Sequence, residues 1–527
     1  MSEKNQILAA YQALCAQRSP WEGWWDDLRR YVVPSRLDKD RTVPSEGRDL
    51  YDTTAVESCQ KLASGHMSYI CPSNELWFKW ASPDPDPSDE AQSWYAQCSE
   101  IANRELSLSN FYTELHECFL DRVGLGTGSL FCGSNRKGRL HFRHIPCGEF
   151  VCAEDDEGSV NTFMREFNLT PTQAEAQFGK KALGPRAQQA LDDPRRALDA
   201  QLKFLHIVRP RAKRNRRRSD NANMPFESIY YSLEDDCVVE EGGYNEFPYM
   251  VTRFLKWGDG PYGIAPARLA YPDIKQTQFL NRILDMLGEV AAFPRILELA
   301  NQVGEVDLRA GGRTLINTES ASLGYPREWA TQGRYDVGVD RLKQKQEAIQ
   351  RAFFVPMLEL WSERKSQMTA AEIYARENER VMLFSPSFSL FSTDFQTMME
   401  RVFALLFRLG RFPKPPASAL VELPRGGEPA VEEPLVVYQG RIAMVMRRLQ
   451  SEGLDRALQR LQAMSGMAQE MSDHIDLDRS FRLASRMDGL PEQLLRPEYE
   501  VKRLRKQREE QAMALLQQQT KKPSDGK

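Results

Sequence analysis

The chain has 527 residues, more than one ordinary core needs and enough for two to four domains. With 41% hydrophobic and 27% charged residues it is built to fold rather than to stay disordered, and no run of about 18 apolar residues is present to cross a bilayer. A formal charge of −4 excludes a globally basic nucleic-acid binder, so any contact with DNA has to be local.

The N-terminal stretch, MSEKNQILAAYQALCAQ, lacks a signal-peptide layout and reads as helix. Residues 4–33 predict two helices, the second starting after Ser19-Pro20, where proline is tolerated, and stopping before Pro34. A polar loop, SRLDKDRTVPSEGRD, follows. Then Ala55, Cys59, Leu62, Ala63, Met67 and Ile70 fall on one face of an amphipathic helix that Asp52 or Thr53 can cap. Pro72 ends it, Leu76, Trp77, Phe78 and Trp80 predict a strand, and residues 89–125 read as helix again. The nine cysteines all lie between Cys15 and Cys237 at irregular spacings, which fits small core residues in a reducing compartment and not a disulfide framework.

From Gly126 to about Tyr262 the period changes to two. Eight short segments rich in β-branched and aromatic residues, from SLFCGS to YMVTRFLKW, are separated by turn residues and predict strands. One helical insert interrupts them, opening at a Thr170 cap. The segment RPRAKRNRRR, residues 209–218, holds seven basic residues between two strands and reads as an exposed loop.

A helical hairpin follows at about 272–354. Leu280, Ile283, Leu284, Leu287 and Ala291 mark its first helix, and Leu342, Ile349 and Phe353 mark a narrower stripe on its second. Between them a Gly- and Pro-punctuated stretch reads as strands and turns. Such thin stripes pack one seam and leave the rest to water or other chains. After a charged break, Thr369 and Glu372 form a capping box that opens a long helix toward Leu409. A kink or break is expected at Ser385-Pro386-Ser387. A Pro-rich connector leads to a strand-like LVVYQG, then helix, and a charged helix that frays into the tail. The fold class predicted is α+β.

Few motifs carry chemistry. His141, His144, Cys147 and Cys152 approach zinc-ligand spacing and would suit a nucleic-acid-processing enzyme that uses 209–218 for docking. Strand alternation puts His141 and His144 on opposite faces, however, and no second knuckle follows, which favours core and turn roles. Gly258-Asp259-Gly260-Pro261-Tyr262-Gly263 lacks the Lys-Ser/Thr of a phosphate loop and reads as a sharp turn into the hairpin. No nucleophile elbow, metalloprotease helix or kinase signature is present.

Several stretches together resemble the head-to-tail connecting (portal) proteins of short-tailed phages. They are LYDTTAVESCQKLASGHMSYICPSNELWFKW, LHFRHIPCGEFVCAEDDEGSVNTFMREF, YGIAPARLAYPDIKQTQ, AIQRAFFVP, MTAAEIYARENE and, near the end, HIDLDRSFRLASRMDGLPEQLLRPEYEVKRLRKQRE. The resemblance covers most of the chain, although the basic loop departs from it. It implies a portal-type subunit with no active site and no cofactor, most often in a ring of twelve at one capsid vertex. The implied layout is a wing at 1–271 and 369–435, stem helices at 272–293 and 337–356, a clip at 294–336, a channel loop at 357–368 and a crown at 436–527. It places Arg364, Lys365 and Ser366 in the DNA channel. It leaves Arg211, Lys213, Arg214, Arg216, Arg217 and Arg218 as a possible basic contact. The implied partners are the terminase large subunit, head-tail adaptor and tail proteins, major capsid and scaffolding proteins, and the double-stranded DNA that passes through. The implied location is the virion, reached by way of the host cytoplasm during assembly, with no membrane.

Overall fold

Pro20 does not break the N-terminal helix. The structure, a computed structural model, describes residues 3–36, 50–84, 88–215, 218, 220–258, 260–292, 295–297, 327–329, 335–358, 370–421 and 430–439, and 459, 478, 480–482, 485, 496 and 498–520 toward the C-terminus. Helix α1 spans Glu3–Tyr31 with Pro20 inside, where the sequence predicts two helices. An interior proline costs a helix about 3 kcal/mol, but both halves are held from outside. Ile7 packs with Val151, Met164, Leu205, Ile207, Ile229 and Tyr231, while Trp25, Leu28 and Val32 enter the main core. Tertiary packing overrides the local signal.

Helix α2 (Thr54–Ile70) buries Ala55, Cys59, Leu62, Ala63 and Ile70, the predicted face, with Met67 half-buried. Its cap is Asp52: the Oδ1 accepts the Thr54 N–H at 3.0 Å, and Thr53 makes no side-chain cap. Strand β1 (Phe78–Ala81) follows as expected. Residues 89–125 resolve into α3 (Asp89–Leu108), capped by Ser88, and α4 (Phe111–Gly124).

The eight strands predicted between 126 and 262 all form. They are β2 (Thr127–Ser134), β3 (Leu140–His144), β4 (Phe150–Glu154), β5 (Val160–Leu169), β6 (Leu202–Pro210), β7 (Phe226–Ser232), β8 (Cys237–Tyr244) and β9 (Tyr249–Arg253). Two antiparallel sheets result: three strands in the order β3-β2-β9, and a meander in the order β4-β5-β6-β7-β8. Alternation decides the layers. In β6, Leu205 and Ile207 face α1, whereas Val208 joins the main core and Phe204 packs with the insert. That insert comprises α5 (Pro171–Phe178), α6 (Pro185–Asp192) and α7 (Arg196–Asp199), and α5 opens with a complete capping box between Thr170 and Gln173.

The turn predicted at 258–263, whose Asp259 lies outside the described residues, falls between two short paired strands, β10 (Leu255–Lys256) and β11 (Gly263–Ile264). The helical hairpin comes next. Its first helix, α8 (Pro266–Ala292), begins six residues before the predicted start and carries Pro272 in its first turns. The early start is set by burial: Pro266, Ala267, Ala270 and Tyr271 are already inside. Strands β12 (Arg295–Leu297) and β13 (Arg327–Trp329) pair antiparallel, and α9 (Tyr335–Ala352) returns along α8. A short α10 (Val355–Leu358) then turns onto α2, where Leu358 lies against Gly65.

The long helix α11 spans Ala370–Arg408 and continues through Pro386, where the sequence predicts a kink or break. Strands β14 (Leu420–Val421) and β15 (Ala430–Val431) pair, and β16 (Leu435–Tyr438) pairs antiparallel with β1. Helix α12 (Glu498–Thr520) is the last described element. The Thr369 cap and the helix expected after β16 lie largely outside the described residues.

Candidate functional site

The zinc-like set does not assemble. His141 is exposed, while His144 points inward on the opposite face of β3. His144 Nε2 lies 3.0 Å from Asp121 Oδ2, and the same oxygen accepts the Cys147 N–H at 2.8 Å. The buried Asp121 of α4 therefore takes up two members of the motif as structural partners. Burial pushes the Cys152 thiol up to about 12, which keeps it protonated. Among the described residues no three His, Cys, Asp or Glu side chains are grouped to hold a metal ion. The spacing that suggests zinc is corrected to a strand end and a turn fastened onto α4.

Arg364, Lys365 and Ser366 lie outside the described residues, between α10 and α11. In the basic loop, Arg216 and Arg217 are also outside. Arg211 turns inward and donates to Glu241 Oε1 at 3.1 Å and to the Gly242 carbonyl at 2.8 Å. Lys213, Arg214 and Arg218 are exposed.

The long helix is fixed by a series of polar contacts that the sequence reading does not single out. Ser387, Asp394, Arg401 and Arg408 recur every seven residues, about 10.5 Å apart along the axis, and tie the helix in turn to α4, to β9 and to the residues around Cys132 and Glu246. The Ser387 carbonyl and hydroxyl accept from Arg122 of α4 at 2.8 and 3.0 Å. Asp394 accepts the Arg253 N–H at 3.3 Å, with the Arg253 guanidinium 3.8 Å away and itself paired to Glu154. Arg401 donates to the Cys132 carbonyl at 2.8 Å and to the Glu246 carbonyl at 2.9 Å. Arg408 holds both Glu246 oxygens, at 2.5 and 2.7 Å. Between them Phe391, Phe395, Met398, Met399, Val402 and Leu406 are buried. Apolar packing tolerates sliding; hydrogen bonds to fixed carbonyls do not, so this row sets the register of the helix. Its trace in the sequence is a polar residue at every seventh position of a mostly apolar segment.

Burial raises the Asp394 carboxyl from 3.8 to about 6, against the pull of Arg253 and Arg122. Because the folded chain holds this proton more tightly than the unfolded one, the stabilising contribution is complete below 3.8 and is lost as pH rises through about 6. Wild type is therefore expected to lose stability over that interval relative to Asp394→Asn. Thermal midpoints across a pH series check this, and parallel curves for the two proteins would contradict it.

A second joint ties the hairpin to the body. Gln278 of α8 accepts the backbone N–H groups of Tyr51 and Asp52 at 2.7 and 3.0 Å and donates to the Asp52 carbonyl at 2.8 Å. Asn281 of α8 and Gln346 of α9 donate to the Asp52 carboxylate at 3.1 and 2.7 Å. Lys345 bridges α9 to Asp273 of α8 at 2.7 Å. The seam buries Leu284 and Ile349 and half-buries Leu280, Ile283 and Leu287. Off this seam Phe279 and Met286, seven residues apart, are 64% and 53% exposed, and nearer the helix start Leu269 is 66% exposed. One chain thus holds the hairpin firmly at its base while leaving an apolar face of α8 uncovered.

The family model for bacteriophage head to tail connecting proteins matches residues 4–495. The chain belongs to this family. Curated relatives include the "Probable portal protein" of Bordetella phage BPP-1, 24% identical with 98% of this chain and 93% of the relative covered. The "Portal protein" of Salmonella phage epsilon15 is 24% identical, with 97% and 92% covered. Head-to-tail connecting proteins are structural parts of the phage particle, and the mixed helix and strand content of this chain accords with that class.

Proposed function

We propose that the chain is a portal subunit: copies close into a ring at one capsid vertex, through which DNA is packaged and later ejected. The observation that carries this reading is the family match over nearly the whole chain, together with two relatives of almost equal length named as portal proteins. The exposed Phe279, Met286 and Leu269 on α8 support it physically, because a head-to-tail ring needs two different adhesive faces on each subunit.

In this reading α8 from Pro272 onward and α9 are the stem, the segment between them is the clip that meets the terminase large subunit and then the tail adaptors, and residues 1–271 with α11 are the wing. Major capsid and scaffolding proteins surround the ring, which forms in the host cytoplasm and ends in the virion. Twelve copies of a 60.4 kDa chain set the expected mass. Native mass and top-view electron images test the reading: a closed ring with a central hole is expected, and a monomer under all conditions overturns it. Phe279→Glu with Met286→Glu is expected to shift the ring to free subunits without unfolding them, since both side chains are exposed. Intact rings would remove α8 from the interface.

The segment 357–368 is proposed to face the channel, with Arg364, Lys365 and Ser366 making a few screened contacts to sliding DNA. Arg364→Glu with Lys365→Glu is expected to leave ring mass unchanged while altering DNA packaging or retention. A double variant that cannot assemble would place these residues at an interface instead.

A further inference from the structure

We propose that the tip of the loop between β6 and β7 is a second contact for duplex DNA, carried by Lys213, Arg214 and Arg218 and separate from the channel segment. The structure divides the basic run into two classes. At the base of the loop, Arg209 is paired with Glu227 of β7, and Arg211, its side chain only 9% exposed, is paired with Glu241 of β8. These two are internal struts. Lys213, Arg214 and Arg218 are exposed and make no ion pair among the described residues.

The loop that presents them is built and not merely tethered. The Arg211 N–H donates to the Pro225 carbonyl at 2.8 Å, and the Asn215 N–H donates to Asn223 Oδ1 at 2.8 Å. The Arg218 N–H returns to the Asn215 carbonyl at 3.1 Å. The returning leg lies flush on β8: a Cβ at Gly243 would stand 2.6 Å from the Asn221 carbonyl oxygen and 2.8 Å from the Met224 Cβ. Asp220, the one acid of the loop, is occupied by Asn223. Three cations are therefore held at a backbone-braced tip of a chain whose formal charge is −4.

The chemistry of the tip selects its partner. Residues 211–225 contain no aromatic side chain on which a splayed base could stack, which disfavours single strands. They expose no large hydrophobic side chain among the described residues, so an acidic peptide finds nothing apolar to anchor on. Arginine forks and a lysine point charge fit a regular row of phosphates, a contact that does not depend on sequence.

The test is the salt dependence of binding of a fluorescently labelled duplex to the full-length protein, read by anisotropy. Replacing Lys213, Arg214 and Arg218 together with glutamine is expected to flatten the slope of log affinity against log salt. The change should be roughly 0.9 for each cation in contact, or about 2.7 for all three on one engaged loop. Arg211→Gln is expected to lower the thermal midpoint and leave the slope unchanged. An unchanged slope in the triple variant overturns the proposal, as does a slope that falls only when Arg364 and Lys365 are neutralised. So does a triple variant that keeps its DNA slope but loses binding to polyglutamate, which would make the partner an acidic protein. The same titration on the Phe279→Glu, Met286→Glu subunit separates this contact from ring closure: there the loop still binds if the inference holds, whatever becomes of the portal reading.

Discussion

Arg122→Ala is expected to destabilise the subunit by about 3–5 kcal/mol, the usual cost of removing one member of a buried charged network. Arg122 is wholly buried and donates to the Arg253 carbonyl at 3.1 Å as well as to both Ser387 oxygens. Its guanidinium carbon stands 5.4 Å from the Phe254 ring and 5.5 Å from the Phe391 ring. Burial pushes its pKa down to about 10, partly countered by Asp394, so it remains charged at neutral pH. Truncation opens a void between these rings, unpairs the Arg253 carbonyl and leaves Asp394 with Arg253 as its nearest cation. The first contact in the register-setting row of α11 disappears with it. Chemical denaturation followed by tryptophan fluorescence reads the loss, and hydrogen exchange along 387–408 locates it. A loss under about 1 kcal/mol would show that α11 is held by its apolar face alone.

Trp77→Ala should cost a similar amount, about 3–5 kcal/mol for a large aromatic removed from a packed interior. Trp77 is fully buried, with ring centroids 4.7 Å from Phe78, 5.5 Å from Phe395, 6.2 Å from Phe111 and 6.5 Å from Tyr438. Its indole N–H donates to the Tyr112 hydroxyl at 3.2 Å, and its carbonyl accepts the Gln439 N–H at 2.6 Å. One ring therefore touches β1, α4, α11 and β16. The expected result is a lowered denaturation midpoint together with proteolytic cleavage near 435–438, because β16 loses its packing partner before it loses its strand pairing. Trp77→Phe should restore most of the protection. Protection of β16 unchanged in Trp77→Ala would mean that the β1 pairing holds the strand unaided.

The strands between 126 and 262 were legible because period-two alternation and turn residues are local signals, and most of those strands have one apolar face. Pro20 and Pro386 do not break their helices, for the opposite reason: what carries each helix through is packing against residues far away in the chain. The row Ser387, Asp394, Arg401, Arg408 is visible as a spacing, but its meaning depends on Arg122, Arg253 and Glu246, which no periodicity connects to it. The joint at Asp52 is harder still, since Gln278, Asn281 and Gln346 carry no signal of their own until the fold brings the first to the Asp52 backbone and the other two to its carboxylate. Strand alternation argues against the zinc-like spacing, yet nothing in the sequence points to Asp121 as the group that occupies His144 and the Cys147 N–H. Family membership was legible from several stretches together, none of which is decisive alone.

The pairing of β1 with β16 has a consequence for the order in which the subunit can be made. Phe78 waits for Tyr438, a partner synthesised some 360 residues later, or roughly 20–70 s at ordinary translation rates. Until α11 and then β16 have been made, Trp77 and Trp80 have neither over them, and the N-terminal helices leave their aromatic core open to solvent. A chain stopped before residue 435 is therefore not a complete body lacking a tail but an open core with its lid missing. Completion of the subunit, and with it the surface it offers to other copies, is deferred until synthesis has passed the Pro-rich connector.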